Sequence, residues 1–341
     1  MRVASLAGCV ETSLYLWPCL AESVFLAPMR KVFSLLVLSC LLGSCSVVPE
    51  VSPSRYETIV LGMIQDGGLP HVGCEKVCCR QARRGGRFGY PACLAIHDRQ
   101  EGKLVLLEAT PAIEAQLDLL HRLTGTQARG RKPVDAVLIT HAHIGHYLGL
   151  AHLGREVAST KRMPVFVTPR MAGFLRGNGP WSQLVKQGEI DLQEITPGEA
   201  FSPIPGIAVT AITVPHRDEY ADTVGFKISG PNRTVLFLPD IDAWGPDDTL
   251  LDRLLEGVDI AYLDGSFYDK SELPDRLIAT VPHPPVIETV ERLAARARAE
   301  PGALRFIHLN HTNPLLREAG LRLQIEKRGF RIARRGEREA L

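Results

Sequence analysis

The sequence predicts an α/β fold in which short buried strands alternate with helices. Apolar, β-branched runs at residues 135–140 and 304–309 are typical of buried strands, and the apolar spacing that follows Thr110-Pro111 is typical of a helix. Several predicted strands end in His or Asp, and active sites of layered α/β folds lie on the loops at strand ends. With 341 residues, 45% apolar and 23% charged, the chain suffices for one large α/β domain or two small ones.

Residues 29–45 have the layout of a secretory signal. A basic Met29-Arg30-Lys31 precedes an apolar run at residues 32–42, which is too short for a comfortable membrane span. The following Leu42-Gly43-Ser44-Cys45 resembles the lipobox of bacterial lipoproteins, in which the cysteine is lipidated. We therefore expect a lipid anchor at Cys45; the alternative is a signal peptide that is cleaved without lipidation.

This signal sets the expected organisation of the chain. Residues 1–28 show no comparable design, so we interpret them as a non-native upstream extension with translation beginning at Met29. Residues 46–55, rich in Ser and Pro, are expected to form a tether, and residues 56–341 a single domain. The predicted location is the bacterial periplasm, anchored to the outer membrane, and the membrane is one predicted partner.

Four cysteines follow the predicted signal. In an oxidising compartment they allow two disulfides, although a bond between vicinal cysteines would be strained. Their spacing also suits a small structural zinc site completed by Cys93 or His71. Both interpretations stand at this point for Cys74, Cys78, Cys79 and Cys93.

The strand at residues 135–140 leads into three histidines within six residues: His141, His143 and His146. Neutral imidazole is the commonest metal ligand, so this cluster indicates a metal centre rather than a polar loop with incidental histidines. A single His or Asp at a strand end is usually a turn or core residue. As a set, however, the strand-end residues favour a shared site; its other members are His216, Asp240, Asp264 and His308.

The order of these motifs resembles the metallo-β-lactamase superfamily, whose fold is a four-layer αββα sandwich. The superfamily signature His-x-His-x-Asp-His is similar to residues 141–146, with Gly145 in place of Asp. The resemblance implies a first metal site formed by His141, His143 and His216. It implies a second site formed by His146 and His308, with Asp240 bridging the two.

Within the superfamily, the chain is similar to the pyrroloquinoline quinone biosynthesis protein B family. The similar stretches are Asp66-Gly-Gly-Leu-Pro70 with the cysteines that follow, and residues 238–242, 264–267 and 307–314. Members of that family tend to have a degraded metal motif, whereas this chain keeps all three histidines of residues 141–146.

Gly145 supplies neither a ligand nor a charge, so the resemblance predicts a second site that binds metal weakly. Another group, such as Asp66, Asp242 or a water molecule, would then have to help. On this basis we expect Gly145→Asp to raise metal content and hydrolysis.

The expected function is a metal-dependent hydrolase that acts on an ester, phosphodiester or lactam-like bond of a small-molecule substrate. A bound divalent ion lowers the pKa of its water towards ~7, and hydroxide is the expected nucleophile. The His-rich ligand set favours zinc, with iron or manganese as alternatives. His283 sits where phosphodiesterases such as tRNase Z carry a catalytic histidine, and we expect it to act with Asp240; alternatively, it is only a residue of a Pro-rich loop.

Two other functions stay open. One is an iron-dependent oxygenase of the cofactor-biosynthesis type, and the other is a non-catalytic metal-binding lipoprotein. A net charge of +1 gives no reason to expect a nucleic-acid partner. Substrate choice is expected in the loops around Trp181, Trp244 and Phe267.

Overall fold

The computed structural model describes residues 54–273 and 281–341, which belong to one compact unit, Ser52–Leu341. The predicted signal, Cys45 and the upstream extension therefore lie outside the described residues, as does all of the tether except its last two residues. Among the described residues, no helix has the length and apolar composition that crossing a membrane requires.

The first sheet has seven strands in the order β14-β1-β2-β3-β4-β5-β6. Strands β3 to β6 run parallel to one another, whereas β2 pairs antiparallel with β3 and β1 pairs antiparallel with both β2 and β14. The strands are β1 (Tyr56–Gly62), β2 (Cys93–Asp98), β3 (Lys103–Leu107), β4 (Ala136–Leu138), β5 (Met163–Val167), β6 (Ile190–Glu194) and β14 (Arg338–Ala340).

The second sheet also has seven strands, in the order β13-β12-β11-β10-β9-β8-β7. Strands β10 to β13 run parallel, so their carboxyl ends meet at one edge. The strands are β7 (Ala200–Phe201), β8 (Ala208–Thr213), β9 (Val224–Ser229), β10 (Thr234–Leu238), β11 (Ile260–Asp264), β12 (Leu304–Ile307) and β13 (Arg331–Ile332).

The helices form the two outer layers. They are α1 (Val77–Arg84), α2 (Ile113–Thr124), α3 (Ile144–Tyr147), α4 (Pro169–Gly177), α5 (Trp181–Lys186), α6 (Thr249–Leu255), α7 (Val286–Arg292), α8 (Ala294–Ala299) and α9 (Ala319–Lys327). Helix α2 begins later than the Thr110-Pro111 pair suggests, because the Thr110 hydroxyl accepts a hydrogen bond from Ala112 N at 3.1 Å in a turn before the helix.

Three apolar cores hold the layers together. Side chains alternate across each strand, so neighbouring residues of β1 enter different cores: Val60 faces the second sheet, whereas Ile59 and Leu61 face the helices. The middle core joins the sheets, and each outer core joins one sheet to its helices. The predicted four-layer αββα sandwich is confirmed.

Candidate metal centre

The site lies at one edge of the sandwich, where strand ends from both sheets meet. The first sheet contributes Asp66 after β1, Glu108 after β3 and the histidine stretch after β4. The second sheet contributes the residues that follow β8, β10 and β12, together with the last residue of β11; these are His216, Asp240, His308 and Asp264. The polar residues that the sequence places at separate strand ends thus lie together in one cluster.

Three histidine nitrogens converge at the first position. Nδ1 of His143 lies 2.9 Å from Nε2 of His141 and 2.9 Å from Nε2 of His216. Asp240 Oδ2 lies 3.2 Å from Nε2 of His216 and 3.5 Å from Nε2 of His141. Three imidazoles and one carboxylate directed at a common point form the donor set of a four-coordinate metal ion.

The second position is formed by His146, His308 and two carboxylates. Asp66 Oδ1 lies 3.2 Å from Nε2 of His146 and 3.1 Å from Nε2 of His308. Asp240 Oδ2 lies 3.8 and 3.9 Å from the same two nitrogens. A single oxygen of Asp240 therefore lies between the two sets of histidines.

Of the groups that the sequence suggests as substitutes for a carboxylate at residue 145, Asp66 is the one that lies at the second position. A Cβ atom built on Gly145 would lie 2.5 Å from both Cα and Cγ of Asp66. The loop after β1 thus fills the space beside residue 145 and places its own carboxylate there. Because a side chain at residue 145 would collide with the backbone of Asp66, Gly145 is needed for this arrangement, and our expectation for Gly145→Asp is reversed.

Outer hydrogen bonds fix which nitrogen of each first-position histidine carries the proton. His141 Nδ1–H donates to the Thr140 hydroxyl at 2.8 Å, which in turn donates to Glu108 at 2.6 Å. His216 Nδ1–H donates to Asp242 at 2.7 Å, and His143 Nε2–H donates to Glu219 at 3.1 Å. The inner nitrogens are left with lone pairs directed at one another, which a cation between them would stabilise.

The second-position histidines are oriented in the same way. His308 Nδ1–H donates to the Ser266 hydroxyl at 2.8 Å. His146 Nδ1 lies 3.3 Å from Glu108 Oε1, an ion-pair contact without hydrogen-bond geometry. Glu108 is fully buried, and both Glu108 and His308 have positive φ angles, of 78° and 62°. Non-glycine residues in this region are strained, and such strain is concentrated at functional sites.

The electrostatics of the centre also fit a cation. Burial acts to raise the pKa of Asp66, but its contacts with His146 and His308 outweigh burial and hold that pKa well below its usual value. In Asp240, burial is likewise outweighed by His283 and His308, so its pKa is also well below the usual range. Asp240 Oδ1 is buried without a hydrogen-bond partner among the described residues. Carboxylates held in their charged form are suitable ligands for a metal ion.

His283 lies at the edge of this centre. Its Nδ1 is 2.7 Å from Asp264 Oδ2 and 3.3 Å from Asp240 Oδ1. Burial acts to lower the pKa of His283, but Asp264 and Asp240 outweigh burial and raise it to about 9. Asp264 is held in turn by the backbone N–H groups of Ile241 and Ser266, at 3.1 and 2.8 Å.

Two clefts open beside the centre. A cleft of about 550 Å³ is lined by Asp66 and His143 and by an apolar wall that includes Phe174, Trp181 and Tyr220. A smaller cleft of about 190 Å³ is lined by residues that include Phe267 and His283.

Three aromatic residues were expected near the substrate, and for Trp244 this expectation is wrong. Trp244 is fully buried and donates to Thr289 Oγ1 at 2.8 Å, so its role is in the core.

The cysteines form a separate cluster. Ligand atoms of Cys74, Cys78, Cys79 and His311 all lie within 4.8 Å of one another, and His311 Nε2 is 3.5 Å from Cys74 Sγ. Burial and nearby positive groups lower the pKa of His311 to about 4, so its imidazole is neutral at neutral pH. The fourth member is therefore His311 rather than Cys93 or His71.

Cys93 does not belong to this cluster. It lies on β2 in the outer core of the first sheet, fully buried, and contacts the Leu94 and Glu108 carbonyls at 3.7 and 3.8 Å. The four described cysteines are all free, so the predicted disulfides are absent from the described part of the chain.

Comparison with known proteins identifies the family to which this fold belongs. The family model of the beta-lactamase superfamily domain matches residues 103–309. The chain belongs to the metallo-β-lactamase superfamily. The match begins at β3 and ends after β12, so it includes every strand end of the centre except that of β1, which leads to Asp66.

Relatives within the superfamily include proteins named coenzyme PQQ synthesis protein B. The protein from Methylobacterium sp. strain 4-46 is 28% identical over 302 residues, which are 82% of this chain and 98% of that protein. The protein from Ruegeria pomeroyi is 27% identical over 301 residues, with 82% and 97% covered.

Two solved structures share this metallo-β-lactamase fold. Zn²⁺-bound PqqB from Methylobacterium extorquens superposes with a TM-score of 0.67 at 24% identity, covering 84% of this chain and all of that chain. A diphosphatase from the PhnP family superposes with a TM-score of 0.61 at 19% identity, covering 84% and 98%.

Proposed function

We propose that the protein is a metal-dependent hydrolase with two adjacent metal positions. The observation that carries the proposal is the position of Asp240 Oδ2, which lies within 3.9 Å of four histidine nitrogens, two from each position. His143 and Asp66 complete the two donor sets. A carboxylate shared by two such sets is suited to bridging two metal ions, as hydrolytic two-metal sites require.

Divalent ions bound there would act as Lewis acids and would lower the pKa of coordinated water towards neutrality. The residues of this chain supply the remaining chemistry. Asp66 and Asp240 keep their negative charge. Hydrogen bonds from the outer nitrogens of four ligand histidines hold the imidazole proton on the side away from the centre; these are His141, His143, His216 and His308. His283, which Asp264 and Asp240 hold beside the centre at 2.7 and 3.3 Å, is the proposed general acid that protonates a leaving group.

Zinc is the proposed metal, because imidazole and carboxylate ligands suit it and one superfamily structure is that of a zinc-bound protein. Iron and manganese accept the same donors. The proposed substrate is a small molecule with an ester, phosphodiester or lactam-like bond, since a cleft of about 550 Å³ is within the range of small-molecule sites.

The test is metal content together with hydrolysis. We expect purified full-length protein to hold two equivalents of zinc at the His/carboxylate centre and to cleave bis(p-nitrophenyl)phosphate. Chelation should abolish cleavage, and added zinc should restore it. Bound metal without turnover on ester, phosphodiester or lactam substrates would contradict the hydrolase and favour a non-catalytic metal-binding protein.

A second candidate is an iron-dependent oxygenase in cofactor synthesis. The similarity to proteins named coenzyme PQQ synthesis protein B supports the part of this candidate that concerns cofactor synthesis. One iron per chain, oxygen consumption and no hydrolysis would support this candidate. Two zinc ions with hydrolysis would contradict it.

We further propose that Cys74, Cys78, Cys79 and His311 hold a structural zinc ion. The backbone N–H of His71 donates to Cys79 Sγ at 3.3 Å, and that of Lys76 donates to Cys74 Sγ at 3.4 Å. Such bonds stabilise thiolates, the form in which cysteine binds zinc.

A further inference from the structure

His143 differs from the other ligand histidines in where its outer partner lies. Thr140, Glu108 and Ser266, which hold His141, His146 and His308, are almost completely buried. The Asp242 side chain, which holds His216, is 28% exposed. The Glu219 side chain, which holds His143, is 49% exposed and lies on the loop between β8 and β9.

This loop also forms part of the wall of the larger cleft. Arg217, Glu219 and Tyr220 line the cleft together with His143. The two oxygens of Glu219 have different neighbours: Oε2 accepts from His143 Nε2 at 3.1 Å, and Oε1 lies 3.5 Å from Arg217 Nη1. One carboxylate therefore connects a metal ligand to the surface on which a substrate would bind.

The bond determines which form of His143 is present. The inner nitrogen, Nδ1, faces His141 and His216 at 2.9 Å and has to be unprotonated to bind metal. A carboxylate that accepts from Nε2–H holds the proton on the outer nitrogen and keeps the ring in place. Carboxylates in this position also raise the basicity of the ligand nitrogen, and losing one typically costs about 10- to 100-fold in metal affinity or activity.

We propose that Glu219 is a positioning residue that holds His143 in its metal-binding tautomer from the wall of the substrate cleft. The inference rests on the proposed function and has a consequence for metal binding. The affinity of the first metal position depends on a half-exposed loop, so groups bound in the cleft influence that affinity. A cationic group would compete with His143 for Glu219, whereas an anionic group would pair with Arg217 and leave the bond to His143 intact.

The experiment uses the metal-free full-length protein and Co²⁺, whose absorption spectrum separates thiolate ligation from nitrogen and oxygen ligation. Glu219→Leu, which has no acceptor, should weaken Co²⁺ binding at the His/carboxylate centre by about 10- to 100-fold. Glu219→Gln keeps an acceptor oxygen, so it should lose less Co²⁺ affinity than Glu219→Leu. In the metal-free proteins, ¹⁵N histidine spectra should show His143 with its proton on Nε2 in the wild type and a mixture of tautomers in Glu219→Leu.

Asp218→Asn is the matched control, because Asp218 is the neighbouring loop carboxylate and pairs with Arg170 rather than with a histidine. The control should bind Co²⁺ like the wild type. Wild-type affinity and an unchanged tautomer in Glu219→Leu would overturn the inference, as would equal losses in Glu219→Leu and Asp218→Asn. A wild-type protein that binds no Co²⁺ at this centre would overturn the proposed function as well, so the two failures are distinguishable.

Discussion

The carboxylate of Asp66 lies against the backbone of Gly145, in the space that a side chain at residue 145 would need. A Cβ on Gly145 would come within 2.5 Å of Asp66 Cα, and the Asp66 carboxylate contacts both His146 and His308. The carboxylate that the superfamily signature carries between its histidines is thus supplied here by another strand end. The absence of an Asp side chain at residue 145 and the position of Asp66 therefore depend on each other.

This relationship predicts that Gly145→Asp lowers the stability of the protein and weakens metal binding at the second position. The new side chain cannot fit without moving the loop after β1, and overpacking of this kind costs about 1–3 kcal/mol. Urea unfolding should show that loss, and metal titration should show a weaker second position. An increase in bound metal with unchanged stability would contradict the proposed role of Asp66.

His283 should affect turnover more than metal binding. His283→Gln removes the protonated imidazole beside Asp240 and Asp264 but none of the ligands of the two proposed positions. General acids contribute about 10²- to 10⁴-fold, so the rate on an ester with a poor leaving group should fall by a factor in that range. Substrates with a good leaving group should be affected less, and metal content should remain the same. Equal rate losses on both substrate types would contradict the assignment of His283 as the acid.

Cys93, which lies outside the cysteine cluster, provides a control for mutations within it. Cys74→Ser should remove one equivalent of thiolate-bound metal, which cobalt absorption reports directly. Cys93→Ser should leave that equivalent in place, since Cys93 lies on β2 away from the cluster. A loss of thiolate-bound metal in Cys93→Ser, or full retention in Cys74→Ser, would show that the cluster is assigned incorrectly.

The lipid anchor is a prediction from sequence alone. When the full-length gene is expressed in a Gram-negative bacterium with labelled palmitate, the protein should take up the label and fractionate with the outer membrane. Cys45→Ala should take up none. Labelling that persists in Cys45→Ala would place the modification elsewhere, and a released, unlabelled wild-type protein would favour simple signal cleavage.

Much of the site could be predicted from sequence because its ligands follow recognisable strands. Apolar runs locate β4, β10 and β12, and the residues after them, including His141, Asp240 and His308, are polar for no structural reason visible in the sequence. The pattern of apolar and polar residues therefore indicates both the layers of the fold and the sheet edge at which the site lies.

The parts that the sequence leaves open or does not predict depend on contacts between distant segments. Asp66 is 80 residues from His146, and His311 is 237 residues from Cys74, so local spacing carries no information about either pair. Glu108 is not predicted from sequence, because a single acidic residue between a predicted strand and a predicted helix is ordinary. Its burial and its contacts with Thr140 and His146 exist only once β3 and β4 are paired.

The most direct test of the account is the metal content of Asp66→Asn compared with the wild type, measured at the His/carboxylate centre with Co²⁺ in the full-length protein. Asp191→Asn, which removes an exposed carboxylate paired with Arg162, is the control. We predict two equivalents in the wild type and in the control, and one tightly bound equivalent in Asp66→Asn, with phosphodiester hydrolysis reduced in parallel. Two tightly bound equivalents and unchanged hydrolysis in Asp66→Asn would contradict the claim that Asp66 completes a two-metal centre.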